Sequence, residues 1–214
     1  FPFITSKTIV FQIMVELMFV AFLLLCLFDS KYRLQLSSTV LLLGVYLLVI
    51  TIASLFSGND FYRSFWSNNE RSDGILLLTH LWLFSIVLTG FLRSLKEWLY
   101  VLDIFLVACF AVAVVGLDQY LALIWPDSWS AHFIPSSNGA RLASTIGNAG
   151  YVGGYMVFGF FISLFMFLKR FSLKNIWLNL WYGLVFFVSF FIAIQTQTRG
   201  AYLALGFGIF VLLI

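Results

Sequence analysis

Charge is scarce in this sequence. Its 214 residues hold 12 lysines and arginines and 9 aspartates and glutamates, 10% in all. A water-soluble domain carries roughly a quarter charged residues, so these few could not cover a surface wetted all round, and a globule bathed in water is excluded. The net charge of +3 is too small to argue for nucleic acid. Cysteine is nearly absent as well. Cys26 and Cys109 both lie inside long apolar runs, so neither reads as part of a disulfide framework or a metal site, although spacing alone leaves a buried pair open. The two histidines, His80 and His132, stand in no metal-ligand spacing.

What is present is apolar: 62% of the residues are hydrophobic and 20% aromatic, with a mean hydropathy of +1.03. A bilayer core about 30 Å thick takes roughly 20 apolar residues per helix. Seven runs of about that size are separated by charged or turn-forming stretches: Ile9–Phe28, Ser37–Phe56, Gly74–Leu92, Trp98–Ile124, Tyr151–Leu168, Ile176–Ile194 and Ala201–Ile214. The expected fold class is therefore all-α, a polytopic transmembrane helix bundle of about seven spans forming a single integral membrane domain over residues 1–214. The first run has no basic leader or small-residue cleavage site and is followed by six more, which distinguishes it from a secretory signal. The last run reaches only about 21 Å at 1.5 Å per residue. Together with a start at Phe1-Pro2-Phe3-Ile4 that lacks an initiator Met, it reads as the interior of a longer membrane protein, truncated at both ends.

Orientation follows from basic residues in short loops, which favour the cytoplasm. One set of alternate loops holds Lys31, Arg33, Arg93, Lys96, Lys169, Arg170 and Lys174; the other holds Lys7, Arg63, Arg71, Arg141 and Arg199, mixed with Asp60, Glu70, Asp73 and Asp127. The first set is expected inside. The longer, more polar links Ser57–Asp73, Trp125–Asn148 and Gln195–Gly200 then face outward, and residue 1 lies outside, which calls for an upstream span if the native N-terminus is cytoplasmic.

Three outer stretches carry the polar variety. Around Glu70, Arg71 and Asp73, aromatic rings mix with charge; a solvated turn between two helices explains this as well as a binding site does, and Asp73-Gly74 suits a helix start. In Arg141–Tyr151, Gly147 and Asn148 suit a turn that presents backbone N–H groups at a helix N-terminus, where anions are favoured. Arg141 adds a guanidinium suited to phosphate. The alternative there is packing, because Gly150 and Gly154 form a small-x-x-x-small pattern. In Gln195–Leu203, Arg199 is the strongest single candidate, since a guanidinium near membrane depth either snorkels or finds an anion. Gln197 and its uncharged polar neighbours are left unexplained by snorkelling.

Glu16, Asp103 and Asp118 are acids inside apolar runs. Asp118, near the outer end of its run, is placed to orient an arginine or a substrate hydroxyl, whereas Asp103 is near enough to the inner end to reach cytoplasmic water. An intramembrane acid also suits a proton relay. His80 reads as a hydrogen-bonded core or pocket group, and His132 as a loop residue that titrates near neutral pH without a partner pattern.

At Ser64–Gly74 (SFWSNNERSDG), Arg141–Tyr151 (RLASTIGNAGY) and Thr196–Leu203 (TQTRGAYL), the chain resembles the O-antigen ligase and O-antigen polymerase family, bacterial multi-pass glycosyltransferases of the C type. The last stretch contains the family's R-x-x-x-L pattern as Arg199 to Leu203. The resemblance covers most of the chain from Pro2 onward and implies a location in the bacterial cytoplasmic (inner) membrane. It implies transfer of a glycan from undecaprenyl pyrophosphate to an acceptor hydroxyl on lipid A core, another glycan or a protein, at the outer face of that membrane. By the same resemblance Arg199 and Arg141 hold the pyrophosphate, with Arg71, Asn148, Gln197 and Asp118 as further pocket residues. No cofactor, metal or nucleic acid is implied; the partners are the lipid-linked donor, the acceptor and membrane lipids. The family's acceptor-activating histidine belongs to an external loop expected beyond Ile214, so no catalytic base is assigned to this stretch, which is expected to be inactive alone.

A multi-pass secondary transporter or lipid-linked-glycan flippase, using Asp103, Asp118 and Arg199 along a pathway, is the alternative. A passive assembly subunit is a third. The topology common to the first two is testable: in intact cells Ser137→Cys is expected to react with an impermeant thiol reagent and Ser172→Cys to stay unlabelled. The reverse pattern would invert the orientation.

Overall fold

The computed structural model describes residues 2–32, 34, 36–58, 60–67, 73–124 and 141–214, with the backbone alone for 2–5, 123 and 124. Among the described residues the secondary structure is helical throughout. In chain order the helices are α1 (Pro2–Phe28), α2 (Ser38–Phe56), α3 (Phe61–Trp66), α4 (Ile75–Phe91), α5 (Leu95–Ile124), α6 (Ala149–Arg170), α7 (Ile176–Gln195) and α8 (Arg199–Leu213), with 3-10 turns at Ser30–Tyr32 and Ser144–Ile146. Each of the seven apolar runs forms a helix. Five are long and apolar enough to cross a membrane: Ser6–Phe28, Ser38–Phe56, Leu95–Ala122, Ala149–Arg170 and Ile176–Gln195. The other two are shorter, 17 residues for α4 and 15 for α8, about 26 and 22 Å of rise.

The surface is inverted relative to that of a soluble protein. Large apolar side chains such as Leu42, Phe158 and Phe187 face outward, while Ser163, Ser189, Thr196 and Asn179 are buried. Between helices in lipid, burial of apolar area gives little preference, so small and polar residues that pack closely or hydrogen-bond join the apolar side chains at the contacts. Five multi-residue apolar helices with this outward pattern make the chain a multi-pass membrane protein.

The chain divides into two compact units, Phe1–Glu97 and Trp98–Ile214. In the first, α1 and α2 pack on α4. Phe22, Val40, Ile86 and Val87 form the core, and the Trp82 indole N–H donates to the Val40 carbonyl at 3.0 Å. Helix α3 lies within Ser57–Asp73, which the sequence reads as a longer, polar outer link. Its cause is local: the Asp60 carboxylate caps it by accepting from the Tyr62 N–H at 3.0 Å. Gly74, not Asp73, is the N-cap of α4. A Cβ at Gly74 would strike the Phe65 carbonyl and come within 2.6 Å of the Ser64 carbonyl, so the tight approach of α3 admits only glycine there.

In the second unit α6 and α7 are the closest pair, with α8 against both. Two layers of core join them to α5: Cys109, Ala113, Met156, Phe160 and Ile192, then Leu106, Met166, Tyr182 and Val185. Both cysteines are free thiols. The glycine expectation needs correction. A Cβ at Gly154 meets nothing among the described residues, and one at Gly150 meets only its own cap, the Asn148 oxygen at 3.2 Å. The glycines at the contacts are Gly153, against Thr196 and Thr198, and Gly159, against Cys109 and Ser189. The buried face of α6 is Val152, Gly153, Met156, Gly159, Phe160, Ser163 and Met166, one residue out of phase with the stripe that the spacing of Gly150 and Gly154 suggests.

Asp103 is not simply open to water. Its carboxylate accepts from an Arg170 guanidinium nitrogen at 2.7 Å and from the Tyr182 hydroxyl at 2.7 Å, and Arg170 and Asp103 are 25% and 28% exposed at the side chain. One acid thus ties α5 to the end of α6 and to α7. Asp103→Ala is expected to leave the Arg170 charge uncompensated and to destabilise the protein by about 3 kcal/mol, read as a lower melting temperature in detergent. Asp103→Ala combined with Arg170→Met should recover most of that loss. Equal melting of the single and double variants would show that the pair carries no coupling.

Candidate anion-binding site

The site is built from two irregular stretches of the second unit. Water is absent from a bilayer interior, so non-helical backbone at that depth must find its hydrogen bonds within the protein. Residues Leu142, Ala143 and Ser144 are buried, and Leu142 packs in the core with Cys109, Ala113, Ile192 and Ala193. Ser144 sits at φ 44°, in the left-handed region. Its N–H donates to the Gln119 side-chain oxygen at 2.7 Å and its hydroxyl to the Val112 carbonyl at 2.6 Å. Val112 and Gln119 are two turns apart on one face of α5, about 10 Å along the axis, so a single serine bridges that span. The donor character of the Ser144 N–H fixes the Gln119 amide with its oxygen toward Ser144. Its nitrogen is buried without a hydrogen bond among the described residues.

The stretch turns back through Gly147 at φ 81°, and Asn148 begins α6. Asn148 is a cap: its side-chain oxygen accepts from the Gly150 N–H at 2.8 Å. That bond takes up one of the donors that the sequence offers to an anion here.

Arg141 leads back to the second stretch. Its Nε donates to the Thr196 carbonyl at 3.3 Å and one terminal nitrogen to the Gln197 carbonyl at 3.0 Å. These carbonyls end α7, where a cation complements the helix dipole. The neighbouring carbonyls are also engaged. Ile194 accepts from the Gln197 N–H at 3.1 Å and from the Tyr202 hydroxyl at 2.8 Å, and Ala193 accepts from the Thr196 hydroxyl at 2.7 Å. The Thr196 proton being so placed, Thr198 is the donor in the 3.0 Å contact between the two hydroxyls. Gln197 itself is exposed, at φ 51°. The turn is held at each end, and Gly153 lets α6 lie directly against it.

Arg199 is the first residue of α8. It is exposed and forms no hydrogen bond or ion pair among the described residues. The Thr198 side chain does not cap α8, so the first N–H groups of that helix have no intrahelical or capping acceptor. An exposed guanidinium beside uncapped N–H groups is an arrangement suited to an anion. Arg141 uses two of its five N–H donors on the turn and keeps three.

Of the residues singled out from sequence, Arg141 bonds to the backbone of Gln197 in the α7–α8 turn, and Arg199 follows two residues on. Asn148 starts the adjacent helix, which meets that turn through Gly153. Asp118 is half-buried on α5 beside Gln119. Arg71 and His132 lie outside the described residues. Sequence reading passes over Gln119, Ser144 and Tyr202. Gln119 carried a signal, being a second polar residue beside Asp118 in an apolar run; the Tyr202 contact, eight residues from its acceptor, carried none. Neither a family model, a curated protein nor a solved structure matches this chain.

The two adjacent glycines of α6 give a controlled test of the turn. A methyl at Gly153 comes 2.5 Å from the Thr198 hydroxyl and 2.9 Å from that of Thr196, whereas one at Gly154 meets nothing within 4 Å. Gly153→Ala is expected to cost about 1–3 kcal/mol by overpacking and to speed amide hydrogen exchange at 196–202, with Gly154→Ala near wild type. Equal exchange in both would show that the turn is not braced by α6.

Proposed function

We propose that the chain belongs to a membrane glycosyltransferase of the O-antigen ligase and polymerase type, acting at the outer face of the bacterial cytoplasmic membrane, with about seven spans in this stretch. The three motifs quoted above support the family. The observation that carries the site is the Arg141 guanidinium bonded to the turn that ends in Arg199, which gathers two separate arginine motifs at one end of α7.

In this reading the donor is a glycan on undecaprenyl pyrophosphate. The acceptor hydroxyl oxygen attacks the anomeric carbon, the bond from that carbon to the phosphate oxygen breaks, and the diphosphate leaves with the electron pair. Arg199, with no competing acceptor among the described residues, neutralises the charge that builds on the departing oxygens, and a braced turn fixes the backbone it projects from. Arg141 holds the turn and offers its remaining donors to the same anion. The acceptor proton passes to a general base, which by family resemblance belongs to sequence beyond Ile214. Arg71, Asn148, Gln197 and Asp118 remain pocket candidates. The transporter reading draws on Asp103, Asp118 and Arg199; the commitment of Asp103 to Arg170 and Tyr182 favours a helix clamp over a mobile carrier of protons.

In the whole protein, Arg199→Ala is expected to lower glycan transfer by about a hundredfold or more with membrane insertion intact. Arg199→Lys should also be impaired, because a point charge cannot reproduce a two-pronged contact. Measured by transfer of a lipid-linked glycan in isolated membranes, normal activity of a well-inserted Arg199→Ala protein removes the site and leaves the passive-subunit reading.

A further inference from the structure

The first compact unit holds a second polar centre that glycosyl transfer does not use. Glu16 lies near the middle of the candidate span Ser6–Phe28, and His80 is buried on α4. His80 Nδ1 is 2.8 Å from the Leu76 carbonyl, and its Nε2 is 3.1 Å from a Glu16 carboxyl oxygen. A carbonyl only accepts, so Nδ1 carries a proton. Nε2 and the carboxyl oxygen at hydrogen-bond distance then need one more proton between them, since two bare lone pairs would repel. The pair therefore holds one shared proton and is neutral overall, either as imidazolium with carboxylate or as imidazole with carboxylic acid. The Glu16 side chain is 62% exposed and that of His80 7%.

Thr8, Gln12 and Glu16 recur every four residues and so share one face of the helix. The Gln12 side-chain nitrogen is buried and makes no hydrogen bond among the described residues; it is a donor one turn from the carboxyl and suits the carboxylate left once the proton has gone. Other titratable or charged groups stand apart. On α1, Lys7 is about 14 Å along the axis and Cys26 about 15 Å the other way, bonded to the Tyr32 carbonyl. Lys31 and Tyr32 lie past the end of α1. Tyr46 of α2 and Tyr62 of α3 are exposed, and Arg63 is on α3, before α4 begins. Asp60 caps α3 and Asp73 stands seven residues before His80; among the described residues the hydrogen bonds and ion pairs of His80 and Glu16 include no further ionisable side chain.

We propose that Glu16 and His80 form an intramembrane proton-binding site, in which a single exchangeable proton sits between the carboxyl and Nε2. This is independent of the transferase reading, because no residue of the second unit takes part. Releasing the proton leaves neutral imidazole beside carboxylate, a net change of one charge inside the bilayer.

With two histidines in the chain, nitrogen-15 labelling of histidine and solid-state NMR in lipid bilayers can read the site, with His132→Gln assigning the signals. His80 is expected to show a protonated Nδ1 at every pH and an Nε2 signal that changes as the shared proton leaves. That change should be lost in Glu16→Gln, whose amide donates to the same nitrogen and keeps the helix contact. In unmodified protein, the apolar reagent dicyclohexylcarbodiimide, which attacks protonated carboxyls, is expected to label Glu16 in membranes. A bare Nδ1, an Nε2 transition that persists in Glu16→Gln, or a Glu16 labelled only after the protein is denatured would each overturn the site.

Discussion

The second unit depends on the rule that a peptide group out of reach of water must find its partner in the protein. Helices satisfy that rule by themselves; the stretches between them do not. Where the chain leaves α7 and where it approaches α6, side chains supply what the ladder cannot. Ser144 and Gln119 seat the buried loop on α5, and Arg141, Thr196 and Tyr202 close the end of α7. The polar residues that look like a functional cluster are thus first of all the means by which irregular backbone persists here. That persistence fixes the backbone from which Arg199 projects.

Much of the helical layout is legible from hydropathy. Runs such as Ser37–Phe56 and Ile176–Ile194 reappear as helices displaced by a residue or so, because an unbroken apolar stretch in lipid has no better option than to bond to itself. Length is harder to read: Gly74–Leu92 and Ala201–Ile214 form helices that fall short of the long spans. Helix α3 is six residues long and depends on the Asp60 cap and on the approach of Gly74, neither of which a hydropathy window resolves.

For the candidate site, the sequence displays Arg141 and Arg199 as isolated charges, and the structure bonds Arg141 to the turn that precedes Arg199. Those bonds run to backbone carbonyls, which have no residue identity and so leave no motif. The glycine phase error has a related cause. Gly150, Gly153 and Gly154 are equally small, and only the register of α6 against the Thr196 and Thr198 hydroxyls selects Gly153. His80 shows the same limit, since Glu16 lies 64 positions away.

The ends of α7 and α8 meet at one turn with opposite polarity. A helix terminates in partial negative charge at its last carbonyls, and the next begins with partial positive charge at its first amides. Left bare, the two poles would largely cancel for any ion approaching from outside. The side chain at position 141 sits on the carbonyls of the negative pole and leaves the positive one showing, so it biases this turn toward anions without having to touch what binds there.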